Sequence, residues 1–252
     1  MRFLRGALLD KEPALELALA RALVTDARTG QVEETLRIYR PESPVVVFGR
    51  RDTRLPGFPA AVSAARDAGF EPVVRATGGR AVAYTSRALV IAHVRREAGS
   101  TGGQDARFEG FGEMFVHLFR GFGVDARLGA VPGEYCPGAH SVNARGVEKL
   151  VGTAQRMTPG AWLFSSLVVV GDEDRLRPVL AEVYRCLGQD FDEGSVGSLS
   201  REVPGLDVDA VEAAVVEAYA AGHASTPVPI PEDLLEAARG LVTQHRVERA
   251  DP

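Results

Sequence analysis

An α+β domain, with helices flanking a largely antiparallel or mixed β-sheet, is the fold class this sequence predicts. Three observations carry that expectation. Strand-like runs come in closely spaced groups, at 34–39, 45–48, 72–74, 81–83 and 88–94, and again at 141–144, 150–155 and 161–170. Helical periodicity falls in segments inserted between and after those groups. No Gly-x-Gly-x-x-Gly follows a strand and opens a helix, so a doubly wound dinucleotide-binding arrangement is excluded.

The elements follow in chain order. Residues 13–24 place Leu15, Leu17, Ala18, Ala22 and Leu23 on one helical stripe. Pro41 and Pro44 separate the first two strands, and residues 59–68 read as a short helix ending at Gly69. From Gln104 onward, Phe108, Phe111, Met114, Phe115, Leu118, Phe119 and Phe122 recur at helical spacing. Packing one face of a long helix onto a sheet accounts for that stripe better than a cofactor box does. The apolar run 161–170 is the strongest strand signal in the chain. Residues 172–187 read as a helix with Cys186 in its last turn, on the apolar side and assigned to the core. Beyond Gly188 the chain is loop-rich, with helices at 207–221 and 232–244 joined by an extended Pro-rich stretch, Thr226–Pro231. No internal repeat is evident. The expected organisation is a catalytic domain over 1–190 and a C-terminal helical extension, 191–252, packed on the same domain.

Composition narrows the function. With 252 residues, 45% hydrophobic and 25% charged, the chain is ordinary globular protein. A net charge of -5 gives no electrostatic footprint for nucleic acid. No apolar run reaches the ~20 residues a membrane helix needs, and the first twenty residues carry charges too often for a signal peptide. Two cysteines make no disulfide framework, so a reducing cytoplasm is the expected location. Of 29 basic residues all but Lys11 and Lys149 are arginine. Lys11 sits at a charged helix start, whereas Lys149 lies inside an apolar and glycine-rich segment.

Three segments have chemical potential. In Arg75-Ala76-Thr77-Gly78-Gly79-Arg80, adjacent glycines let the backbone approach a ligand closely and expose N–H groups. A Gly-Gly hairpin turn with exposed arginines explains the same residues equally well. In Glu134-Tyr135-Cys136-Pro137-Gly138, a cysteine held in a Pro/Gly loop is placed like a nucleophile, with His140 as a candidate base. The alternative is a small buried apolar residue. In Glu148-Lys149-Leu150-Val151-Gly152-Thr153-Ala154-Gln155-Arg156, a strand-start lysine can present an ammonium to a carbonyl or phosphate oxygen. It can equally be a solvated edge-strand lysine that discourages strand pairing.

Taken together, Arg-x-Thr-Gly-Gly-Arg-Ala-Val and, about seventy residues later, Ser-Val-Asn-(x)5-Lys-Leu-Val-Gly-Thr-Ala-Gln-Arg resemble the lipoate–protein ligase and octanoyltransferase family, relatives of the biotin–protein ligases. The similarity runs from about Arg37 to Gly171 and includes the Val45–Arg50 strand. It implies a biotin/lipoate ligase-like catalytic domain with a pocket for a lipoyl or octanoyl chain. Substrate-binding positions carried over are Arg75, Thr77, Gly78, Gly79, Arg80, Tyr84, Asn143, Gly152, Thr153 and Ala154. The resemblance also implies that Lys149 contacts the acyl carbonyl, or the phosphate of an acyl-adenylate. The implied acceptor is a lysine on a lipoyl carrier domain or on the glycine cleavage carrier protein, and the implied donor is octanoyl-acyl carrier protein or free lipoate or octanoate.

The family divides by mechanism. ATP-using ligases, with Mg2+, form an acyl-adenylate and need no nucleophilic residue. One transferase branch has its cysteine just after the lysine strand, where this chain reads Met157-Thr158-Pro159-Gly160-Ala161. The Gram-positive-type branch carries it in the loop before the lysine segment, where Cys136 falls, and needs no cofactor. The resemblance therefore favours acyl transfer through a Cys136 thioester, with Cys136 and Lys149 catalytic. ATP-dependent ligation is the alternative. A third reading is a non-catalytic acyl- or carrier-binding homologue, because Tyr84-Thr85 stands where family members carry His and often an acidic residue.

Overall fold

Alternation decides which faces the strands bury, and two core clusters result. The computed structural model describes residues 1–30, 32–97, 102–220 and 226–248. The chain runs β1 (Arg2–Arg5), α1 (Pro13–Thr29), β2 (Glu34–Tyr39), β3 (Val45–Phe48), α2 (Phe58–Asp67), β4 (Glu71–Val74), β5 (Val82–Tyr84) and β6 (Ala88–Glu97). It continues with α3 (Gln104–Gly121), β7 (Ala126–Leu128), β8 (Val142–Ala144), β9 (Glu148–Thr158), β10 (Gly160–Val169), α4 (Glu173–Leu187), α5 (Leu199–Glu202), α6 (Val208–Ala220) and α7 (Glu232–Arg239).

Seven strands form the main sheet in the order β1-β2-β6-β10-β9-β8-β7, and β4-β3-β5 form a second sheet. All neighbours are antiparallel except β1–β2 and β3–β4, so the sheets are mixed with an antiparallel majority. On β6, Val90, Ala92 and Val94 face the core shared with α1 and the small sheet, while Leu89 and Ile91 face the α3–α6 side. The phenylalanine stripe packs as its spacing predicts: Phe115 and Phe119 are fully buried, and Phe111 lies 4.5 Å from Phe164 of β10. Pro13 at the first turn and a left-handed Gly30 after the last one bracket α1.

Several expectations need correction. The short edge strands β1 and β7 carry too few residues to show a pattern, and the sequence reading missed both. Helix 232–244 stops at Arg239, then forms a 3-10 turn at Val242–Gln244 after Gly240. Ala221 of the expected helix 207–221 lies outside the described residues. Cys186 is only half-buried at the end of α4, packed against the core margin. No described helix is long and apolar enough to cross a membrane.

The last part of the chain packs on the first. Helix α7 lies along α1, α6 lies on α3, and Glu212 of α6 pairs with Arg5 and Arg40. The segment from Phe191 to Gly197 lies under the cysteine loop: Asp192 N donates to Gly133 O at 2.8 Å and Gly197 N to Lys149 O at 3.2 Å. Structural support for that loop therefore runs past residue 190.

Candidate active site

The Gly78–Gly79 segment is not a hairpin turn. Strands β4 and β5 on either side of it both pair with β3 and not with each other, so the turn crosses the sheet end beyond β3. There Gly79 has φ +101°, and a Cβ on it would overlap Arg75 Nη2 and Cys136 Sγ. Gly79 thus allows the cysteine loop to reach the turn, whereas a side chain at Gly78 would meet open space.

Cys136 is held from every direction. Its sulfur accepts hydrogen bonds from Arg75 Nη2 and from the Arg80 backbone N–H, each at 3.2 Å. Its own N–H donates to the Tyr184 hydroxyl at 2.6 Å, and that hydroxyl donates to Ala81 O at 3.0 Å. Its carbonyl accepts from Lys149 Nζ at 2.8 Å. The residue has φ +44°, a left-handed conformation costing roughly 1–3 kcal/mol for a non-glycine, which persists only where surrounding contacts over-determine it. His140, the candidate base, does not contact the sulfur; its ring stacks on Phe108 at 5.3 Å.

Burial raises the Cys136 pKa, but the charges of Arg75 and Lys149 and the hydrogen bonds from Arg80 N and Arg75 outweigh it, and the net shift is downward. Cys186 shifts upward, through burial first and then the Glu182 carboxylate. A lowered pKa leaves more thiolate at any pH below the ordinary thiol value. Cys136 should therefore react with iodoacetamide well before Cys186 at pH 7, with a rate–pH midpoint below the unperturbed ~8.5. Peptide mapping after timed alkylation checks this, and a midpoint above that value would show the arginine contact ineffective.

Lys149 is not an edge-strand lysine. It is 2% exposed, on β9 between β8 and β10. The β8–β9 register shifts at Val142/Asn143: Asn143 faces Lys149 while Val142 faces Val151, leaving Leu150 as the extra residue of a bulge. The bulge resets the alternation. Leu150 and Val151 both join the α3-side core, and Lys149 comes to the same face as Gly152, where a Cβ would lie 3.2 Å from Lys149 Cε. All three N–H bonds of the ammonium are used within the protein: on Glu134 Oε2 at 2.8 Å, Tyr135 O at 3.1 Å and Cys136 O at 2.8 Å. In this arrangement the lysine pins the cysteine loop and has no N–H left for a substrate oxygen.

Glu134, Tyr184 and Asp52 were not singled out in the sequence. The Glu134 carboxylate is buried and gathers the loop around itself, accepting from Val131 N, Gly138 N and Ser141 Oγ in addition to Lys149. Asp52, fully buried, accepts from Gly49 N at 2.9 Å and pairs with Arg80 at 3.2 Å, tying the turn to the end of β3. A carboxylate two residues before a loop cysteine, with one of only two lysines downstream, was the available signal for Glu134.

Two cavities lie on either side of the Thr77–Gly78 bond. One, of about 330 Å³, opens over Cys136 and is lined by Gly78, Gly79, Phe108, His140, Thr153 and Ala154. The other, of about 60 Å³, is mostly apolar and runs inward from Arg75 and Thr77 between Val82, Val90, Leu163 and Tyr84. Arg75 connects the two by contact, since it lines the inner cavity and donates to the Cys136 sulfur. Tyr84 lies at the inner cavity beside Tyr39, and burial holds its phenol neutral, well above the ordinary tyrosine range. It contributes surface there and no base. Of the remaining positions, Asn143 lines neither cavity. Its amide is spent within the hairpin, donating to Gly129 O at 3.0 Å and accepting from Gly146 N at 2.8 Å.

A sulfur that accepts from two N–H donors, beside a small apolar cavity and under an open cleft, has the groups that nucleophilic thiol chemistry requires. The Lipoyl protein ligase A/B catalytic domain model matches residues 12–220, and the chain belongs to that family. It is 29% identical over 184 residues, 73% of this chain and 64% of the relative, to octanoyl-GcvH:protein N-octanoyltransferase from Geobacillus kaustophilus (strain HTA426). A protein of the same name from Exiguobacterium sp. (strain ATCC BAA-1283 / AT1b) is 33% identical over 116 residues, 46% of this chain and 40% of that one. The matched region thus spans less than two thirds of these curated relatives. In fold the chain is similar to a lipoate-protein ligase A crystallised with ATP, with TM-score 0.75 and 21% identity, covering 96% of this chain and 94% of that one.

Proposed function

We propose that this protein is an acyltransferase that moves an octanoyl or lipoyl group from a carrier protein to a lysine of a lipoyl domain through a Cys136 thioester. The observation that carries the reading is the pair of N–H donors, from Arg75 and Arg80, converging at 3.2 Å on the sulfur of a cysteine in left-handed conformation. The thiolate attacks the octanoyl carbonyl, and the bond to the donor breaks. The departing group, an amine if the donor is an octanoyl-lysine and a thiol if it is a carrier thioester, takes up the proton that Cys136 released on ionising, through solvent. The acceptor lysine, entering as the neutral amine, then attacks the enzyme thioester; the C–S bond breaks, Cys136 leaves as thiolate, and the proton lost by the amine returns to the thiolate or to solvent. Exposed backbone at Gly78 and Gly79 supplies N–H groups near the developing oxyanion, and the acyl chain lies in the larger cleft over Cys136.

The relatives named above act from octanoyl-GcvH, which favours GcvH, the glycine cleavage carrier, as the octanoyl donor; octanoyl-acyl carrier protein is the second candidate. An exchange of one octanoyl-lysine amide for another is close to isoenergetic, so the overall reaction needs no nucleotide. ATP-dependent ligation fits the residues less well, because the lysine that would meet a phosphate has its donors committed to Glu134, Tyr135 and Cys136.

Intact-mass analysis with octanoyl-GcvH or octanoyl-acyl carrier protein, without nucleotide, tests the reading. A hydroxylamine-labile gain of one octanoyl group is expected. Modification of the acceptor only when ATP and free acid are added would assign the chain to the ligases.

A further inference from the structure

We propose that Arg21, Arg50, Arg51, Arg54 and Arg156 form the docking face for an acidic carrier protein that delivers the acyl group to Cys136. The inference rests on the acyltransfer reading above for the partner's role, and on charge and geometry for the surface.

The chain is acidic overall, and many of its surface arginines elsewhere are paired. Arg5, Arg40, Arg127, Arg145, Arg185 and Arg246 each pair with a carboxylate. None of the five arginines named here does so among the described residues. Arg156 Nη1 donates to Ala76 O at 2.9 Å, and Arg21 donates to the Gln244 side-chain oxygen. Arg50, Arg51 and Arg54 are exposed. The nearby acid, Asp52, is fully buried and committed to Gly49 N and Arg80, so it cannot serve them.

Arg50, Arg156 and Arg21 border the cleft, and Arg51 and Arg54 continue the exposed charge along the chain from Arg50. Gly49 abuts the Gly78–Gly79 turn so closely that a Cβ on it would overlap Gly79 O, which places Arg50 one residue from the wall of the Cys136 cavity. Arg156 follows Thr153, Ala154 and Gln155, which line that cavity. Arg21 lines the inner cavity with Arg75 and Ala76. That the cluster is tight shows in Arg21, whose pKa is lowered by burial and then by the charges of Arg156 and Arg50.

Side chains contributed by α1, β9 and the stretch leading through the 3-10 turn Asp52–Arg54 spread this charge too widely for one small anion. They suit the acidic face of a protein, where opposed charge raises the encounter rate and sets orientation, and where salt screens the attraction. Arginine is well suited to the task because its planar fork meets carboxylates bidentately.

The test is binding, so that it does not depend on turnover. Octanoylated glycine cleavage carrier protein is titrated onto the full chain carrying Cys136→Ala, with and without Arg51→Glu and Arg54→Glu, at low and high salt. The charge-reversed protein is expected to bind about tenfold more weakly at low salt, with the difference shrinking as salt rises. In the otherwise wild-type chain, acylation by the small thioester octanoyl-pantetheine should be unaffected by the two reversals. Equal affinity at low salt would overturn the inference. So would parallel loss toward carrier and octanoyl-pantetheine, which would place the arginines in the acyl site, or weakened ATP binding with carrier affinity intact, which would make the cluster a nucleotide site. Absence of any acyl adduct on the wild type would count against the thioester reading alone, leaving the binding comparison to decide this one.

Discussion

Cys136→Ala abolishes the octanoyl adduct and lowers octanoyl transfer by at least about three orders of magnitude, the scale on which removal of an activated nucleophile acts. Cys136→Ser is nearly as damaging. A serine hydroxyl keeps its proton near neutral pH, and the donors from Arg75 and Arg80 N–H can stabilise an anion only where one forms. Both substitutions should leave folding intact, since the fixed geometry of residue 136 rests on its backbone bonds to Tyr184 and Lys149. Intact mass and a lipoyl-domain modification assay read the result. Transfer retained in Cys136→Ala would show that the sulfur is not on the reaction path.

The second large effect is expected at the buried Lys149–Glu134 pair. Lys149→Met leaves the Glu134 carboxylate buried without its cation, and breaking a buried pair from one side costs about 3–5 kcal/mol. The cysteine loop loses its pin, and turnover should fall by about two to three orders of magnitude as the thiolate loses both position and a favourable charge. Glu134→Gln is expected to destabilise less, because a neutral amide can still accept from the loop N–H groups, although Lys149 then stays charged without a counterion. The double variant Glu134→Gln/Lys149→Met should be more stable than Lys149→Met alone, a coupling that urea titration measures directly. If the losses simply add, the two groups act separately and the pin is not a unit.

These two predictions depend on different kinds of information. The presence of a Cys136 loop, a Gly-Gly turn and a lysine strand, in that family-like order, was legible in the residues. So was most of the fold: the apolar runs that became β2, β3, β6 and β10, and the phenylalanine stripe of α3, have periods that only one kind of element satisfies. Edge strands β1 and β7 were not legible, because three or four residues carry no period. Nor was the break in the last helix, since Gly240 is tolerated inside some helices and ends others.

What the sequence by itself determined was the set of chemical groups and the class of scaffold carrying them. Only the tertiary structure decided what those groups do to one another. A single extra residue at Leu150 turns Lys149 toward the cysteine loop, and sequence spacing cannot reveal a bulge that exists only relative to a partner strand. His140 is four positions from Cys136 yet stacks on Phe108, whereas Arg75 is sixty-one positions away and donates to the sulfur. Tyr184, from a helix much further along, holds the backbone of Cys136. Hydrogen bonds and fields act over a few ångströms of space, and the fold alone sets which distant residues fall within that range.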